Sequence, residues 1–143
     1  SRAHRKAKLD FDDLQWSDRR YSPFTVYGTS KLLNILFTRE LARELEGTGT
    51  TANCYHPGVV RTGFGQDYSS LFNLATRVAG LMFLSPEQGA DTGLYLATSD
   101  EVAEVSGQYF AKRRVLEPRP AGRNDVHARQ LWELSLELSA QFT

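Results

Sequence analysis

Tyr27 and Lys31, in Tyr27-Gly28-Thr29-Ser30-Lys31, are the residues whose types and spacing best suit chemistry. At i and i+4 of a helix two side chains lie one above the other on the same face. A free phenol has a pKa near ~10 and is a poor acid or base at neutral pH. An ammonium beside it favours the phenolate and moves the phenol toward useful proton exchange. The same pair is also an ordinary feature of surface helices, so its surroundings decide the reading. Ser1, in Ser1-Arg2-Ala3-His4, lies 26 residues before Tyr27, and His56-Pro57-Gly58-Val59-Val60-Arg61-Thr62 begins 25 residues after Lys31.

The remaining reactive side chains read as structural. His4 and His56 have no partner at metal-ligand spacing and read as local hydrogen-bonding residues, while His127 reads as solvated. No metal site is expected. Cys54 is the only cysteine, which excludes an internal disulfide and favours a reducing compartment. It alternates within a strand and reads as core rather than nucleophile.

The elements that must position these residues follow from periodicity and turn chemistry. Residues 1–22 are polar and charged and read as a loop. Ser22-Pro23 is a helix start, and Leu33, Phe37, Leu41 and Leu45, flanked by Leu32, Ile35 and Leu36, give a broad apolar face. Gly47 and Gly49 stop that helix. Residues 50–56 read as a strand ended by Pro57-Gly58, and 59–70 as a loop with Gly63 and Gly65. A helical stretch over 71–83 follows. Ser85-Pro86-Glu87-Gln88 opens a further helix, expected to run to about Thr98. Residues 106–111 read as a second strand, Pro118 and Pro120 mark a loop, and Asn124 opens a last helix with Val126, Leu131, Leu134 and Leu138 on one side.

Strands separated by helices imply parallel pairing and an α/β sheet. Two strands make a poor sheet for this many apolar helix faces. The expectation is one partial α/β domain over 1–143, with the rest of its sheet missing from the N-terminal side. The only methionine, Met82, agrees with a missing start.

Bulk properties exclude several classes. Seventeen basic residues balance seventeen acidic ones, so no global field recruits nucleic acid or an anionic membrane. The Arg113-Arg114 and 119–123 clusters carry no interleaved aromatics and read as solvated surface. Residues 71–84 are too short to span a bilayer. They read as an apolar lid, with an interfacial amphipathic segment as the alternative. With no signal peptide or membrane span in the chain, a cytoplasmic location is expected.

Serine segment, Phe11-Asp12-Asp13-Leu14, Tyr27/Lys31 helix and His56-Pro57-Gly58-Val59 turn occur in one order. With Leu36-Phe37-Thr38-Arg39-Glu40-Leu41 and Ser106-Gly107-Gln108-Tyr109-Phe110, this ensemble resembles the short-chain dehydrogenase/reductase family. It is most similar to that family's retinol-dehydrogenase-like branch, and the likeness covers nearly the whole chain. The resemblance implies that Tyr27 exchanges a proton with the substrate oxygen, that Lys31 supports Tyr27 and binds the nucleotide ribose, and that Ser1 hydrogen-bonds the substrate oxygen. It implies that Pro57, Gly58 and Val60 hold the nicotinamide carboxamide and that Thr62 meets the cofactor beside them. The resemblance also implies the fold, the C-terminal part of a doubly wound, Rossmann-like parallel sheet whose N-terminal nucleotide-binding half is absent. The family's glycine-rich fingerprint and tetrad asparagine are expected upstream; Gly63-Phe64-Gly65 is too short to replace the fingerprint.

The reading is an oxidoreductase that interconverts an apolar alcohol and its carbonyl with NAD(P)(H), NADP being favoured by the resemblance. As the tyrosine helix is often a dimer surface in the family, a homodimer of the longer protein is an option. The rival reading is an inactive fragment, or a non-catalytic binding module that retains the site residues.

Overall fold

The computed structural model describes residues 2–60 and 83–142. The first long element is α1, Pro23–Glu44. Pro23 has no amide hydrogen to leave unsatisfied at the first helical position, and its fixed φ suits the helix. Ser22 stands at the N-cap in extended conformation, with its hydroxyl turned to Thr25 Oγ1 at 3.1 Å rather than to a backbone amide. After Leu45 the chain turns through Gly47 and Gly49, both at positive φ, and the helix cannot continue.

The buried face of α1 is Gly28, Thr29, Leu32, Ile35, Leu36 and Glu40. Of the broad face expected, Leu32, Ile35 and Leu36 are buried, and its centre lies on them rather than on Leu33, Phe37, Leu41 and Leu45. Phe37 lies at the rim, its ring 5.1 Å from that of Trp132, and Leu33 only flanks the core. The reason is that α1 is covered from two sides. A 3-10 turn, Arg2–Lys6, lies along Gly28, and the last helix, α3 (Asp125–Ser139), crosses further along.

Leu32 and Leu36 meet Ala128 and Leu131 of α3, with Ala7, Leu9, Phe11 and Leu33 around them. Burying each leucine stabilises the fold by about 1.5–3 kcal/mol. Ala128 is small enough to let the helices approach, and it takes the contact expected of Val126, which is 74% exposed. Asp125 at the start of α3 binds both Arg39 (2.7 Å) and Arg43 (2.5 Å) of α1, and these guanidinium groups hold its carboxyl below the usual range.

Parallel pairing is present. Strand β1 (Cys54–Tyr55) pairs parallel with β2 (Tyr109–Ala111), in register Cys54 to Tyr109. The regular strand is shorter than the expected 50–56 because Asn53 continues the contact with its side chain. Its Nδ2 donates to Val105 O at 2.6 Å and its Oδ1 accepts from Gln108 N at 3.0 Å. Between these strands lies α2, Pro86–Thr98, ending where expected.

A third strand was not foreseen. β3 (Arg114–Val115) pairs antiparallel with β2 through a two-residue turn at Lys112 and Arg113. Both turn residues have positive φ, as a type I′ turn requires, yet neither is glycine or asparagine. Arg113 pins the turn to α2: its amide donates to Thr92 Oγ1 at 3.3 Å and its Nε to Asp91 at 2.9 Å.

Candidate functional site

Tyr27 occupies the second turn of α1 and Lys31 the third. Their side chains face the C-terminal end of β1. With Asn34, Ile35, Cys54, Tyr55, His56, Pro57, Gly58 and Tyr109 they line one pocket of about 240 Å³. The Lys31 ammonium lies 5.2 Å from the centre of the Tyr27 ring, within the range of cation–π attraction. Tyr27 is 38% exposed, so part of the side chain is open to solvent.

The floor of the pocket is the strand end and the turn after it. The amide of His56 donates to Phe110 O at 2.8 Å, anchoring the residue after β1 to β2. Gly58 follows at φ +92°, and a Cβ there would lie 2.5 Å from Leu84 Cδ1. Beyond the turn, Leu84 N donates to Val59 O at 2.9 Å, and Val60 and Leu84 form a parallel bridge.

Four of the seven residues singled out in the sequence, Tyr27, Lys31, Pro57 and Gly58, are thus brought together. Val60 stands one step outside the pocket, with its methyl groups against Gly89. Ser1 and Thr62 lie outside the described residues, as does the helical stretch expected over 71–83 up to Met82.

Sequence reasoning missed Asn34, Tyr55 and Tyr109. Asn34 had a signal, since it follows Lys31 by three residues on the same helix face. Tyr55 and Tyr109 had none beyond their strand positions. Cys54 also faces the pocket, but burial pushes its thiol up, away from the reactive thiolate.

The histidines divide. His4 is buried with its ring edge-on to Tyr109, centroids 5.5 Å apart. His127, expected to be solvated, is half-buried against Phe11 at 5.4 Å, and its Nδ1 has no partner among the described residues. The same residues contain no cluster of three or more His, Cys, Asp or Glu able to hold a metal ion, and no helix long and apolar enough to cross a membrane.

A tyrosine–lysine pair facing the end of a parallel strand, in an α/β chain with this order of motifs, defines a class. The chain is homologous, over nearly its whole length, to retinol dehydrogenases of the short-chain dehydrogenase/reductase family. It is 41% identical to human retinol dehydrogenase 13 over 96% of this chain and 43% of the relative. It is 44% identical to human retinol dehydrogenase 14 over 94% of this chain and 41% of the relative. Identity to dehydrogenase/reductase SDR family member 13 of Bos taurus is 40%, over 97% of this chain and 38% of that protein.

The chain therefore spans about two fifths of the length of the curated relatives it matches. Among solved structures it is similar to an uncharacterized protein from Mycobacterium paratuberculosis, with a TM-score of 0.70 and 31% identity over 96% of this chain and 47% of that one. The architecture is accordingly part of a larger Rossmann-like α/β fold. No family model matches the chain.

Proposed function

We propose that residues 1–143 are the catalytic and substrate-binding part of an oxidoreductase that interconverts a lipophilic alcohol and its carbonyl, with NADP(H) in preference to NAD(H). The observation that carries this reading is the single pocket shared by Tyr27, Lys31 and the Pro57-Gly58 turn. Relatives named retinol dehydrogenases support an apolar substrate, although fold and family do not by themselves fix a substrate.

A nicotinamide nucleotide supplies the hydride when it is bound. The residues present fit one end of such a molecule. At about 240 Å³ the pocket falls below the ~300–1,000 Å³ of sites that enclose a whole ligand, so it suits one ring and its neighbours. Lys31 would take the ribose hydroxyls and the backbone of Pro57, Gly58 and Val60 the carboxamide. Thr62 would meet the nucleotide beside them.

Tyr27 would hold the proton that passes between its phenol oxygen and the substrate oxygen. Charge that develops on that phenol is stabilised by the ammonium of Lys31. Ser1 would donate a hydrogen bond to the substrate oxygen. The apolar pocket wall, with Ile35 and Tyr55, would exclude water from the reacting carbon.

The test is turnover of a lipophilic alcohol with NADP+ by the protein that carries this sequence. Tyr27→Phe should lower kcat by about 10²–10⁴-fold, the span of a general acid–base contribution. Its thermal unfolding should change little, because the substitution keeps the ring and the residue is partly exposed. Wild-type turnover in the variant would remove Tyr27 from the role.

A further inference from the structure

The Pro57-Gly58 turn is held by a contact that the proposed mechanism does not use. Pro57 has no amide hydrogen, so the first backbone donor after His56 is the amide of Gly58. That amide donates to Nδ1 of His56 at 3.3 Å. The main-chain amide of His56 is itself fixed to Phe110 O. A single residue thus ties its backbone to β2 and its side chain to the turn. The turn also rests against Leu84.

Asparagine and aspartate make this bond, to the backbone two residues on, as a standard turn-forming device. An imidazole can do so only when Nδ1 carries a lone pair, with the ring neutral and its proton on Nε2. The imidazole and the turn border the same pocket as Tyr27 and Lys31. A turn fixed in advance also loses less freedom when a ligand docks against it.

The geometry points to His56 as a positioning residue: its Nδ1 accepts from Gly58 and thereby sets the turn against which the nicotinamide end of the nucleotide docks. The docking half rests on the proposed oxidoreductase reading; the hydrogen bond does not. His56 acts through the turn and transfers no proton to substrate.

Two variants separate these statements. His56→Leu removes the acceptor, and His56→Asn restores an oxygen able to reach the same amide. In the wild type, the 15N shift of the imidazole should show Nδ1 without a proton. Exchange of the Gly58 amide should speed up by about tenfold in His56→Leu and return to within about threefold of wild type in His56→Asn. The nucleotide KM should rise by about tenfold in His56→Leu with kcat changed less than about threefold, and His56→Asn should restore it.

A protonated Nδ1, or equal Gly58 exchange in all three proteins, overturns the tie. The predicted exchange pattern with an unchanged KM overturns the positioning role. Absence of turnover in the wild type as well would count against the oxidoreductase reading, and the exchange pattern would still decide the tie. The imidazole measurement needs no variant, so it decides even where His56→Leu does not fold.

Discussion

Gly28 follows the proposed proton donor inside α1, where glycine costs about 1 kcal/mol relative to alanine. The sequence shows that cost but not its reason. A Cβ at this position would lie 2.7 Å from the carbonyl oxygen of Ala3 and 3.4 Å from the backbone of Lys6 and Ala7. The glycine is therefore the slot into which the Arg2–Lys6 turn packs. Thr29 beside it receives the amide of Lys8 at 3.2 Å. Gly28→Ala sets a helix gain of about 1 kcal/mol against an overpacking cost of about 1–3 kcal/mol. The clash wins, because the obstacle is a backbone carbonyl and not the end of a flexible side chain. The expected outcome is a net loss of stability, read as a lower urea midpoint with unchanged slope. A raised midpoint would mean that the turn moves away without cost. Tyr27 and Lys31 were legible because i,i+4 proximity is local. The reason for Gly28 was not, since it depends on a segment more than twenty residues earlier in the chain.

Two helices begin with the same dipeptide, Ser-Pro, and the structure distinguishes them. Ser85 closes a complete capping box on α2: Gln88 N donates to Ser85 Oγ at 3.2 Å, and Ser85 N donates to Gln88 Oε1 at 2.9 Å. Ser22 caps no backbone amide of α1. Ser85→Ala should therefore cost about 0.5–2 kcal/mol and Ser22→Ala less than about 0.5 kcal/mol. Chemical denaturation of both variants checks the contrast, and equal losses would show that the Ser85 bonds are not made in solution. The glutamine three residues after Ser85 made that cap readable in advance, as did Asn124 for α3, whose Oδ1 accepts from His127 N. The β2–β3 hairpin was not readable. Its turn residues, Lys112 and Arg113, run against the usual preference for Gly and Asn, and the compensation comes from Asp91 and Thr92 on a different element. Local chemistry was visible in the sequence, whereas strain offset by a tertiary contact was not. The face of α3 was misjudged for a related reason. Hydrophobicity favoured Val126 for burial, but the close approach of α1 selected Ala128.

Across the whole molecule, apolar burial and sheet are unequally distributed. The core cluster joins α1 to α3, while the sheet consists of strands of two, three and two residues. Among the described residues β1 pairs only with β2, leaving its other edge open to a further strand. The chemistry is distributed just as unequally. The residues proposed to exchange a proton and to hold a nicotinamide ring border one pocket. The pyrophosphate of a dinucleotide, however, needs a glycine-rich turn at a helix N-terminus. The 143 residues contain no Gly-x-Gly-x-x-Gly sequence. A site that grips only one end of the nucleotide forgoes most of its contacts, so residues 1–143 alone should bind NADP(H) no more tightly than about 1 mM, equivalent to roughly −4 kcal/mol. Titration followed by nicotinamide fluorescence checks this. Tight stoichiometric binding would place a complete cradle within these residues and overturn the partial-domain reading. Weak binding here, with tight binding by a longer protein that contains the sequence, would support a division in which this part supplies proton transfer and the rest holds the phosphates. Weak binding by both would favour the rival reading, a non-catalytic module that retains Tyr27 and Lys31 without a nucleotide for them to serve.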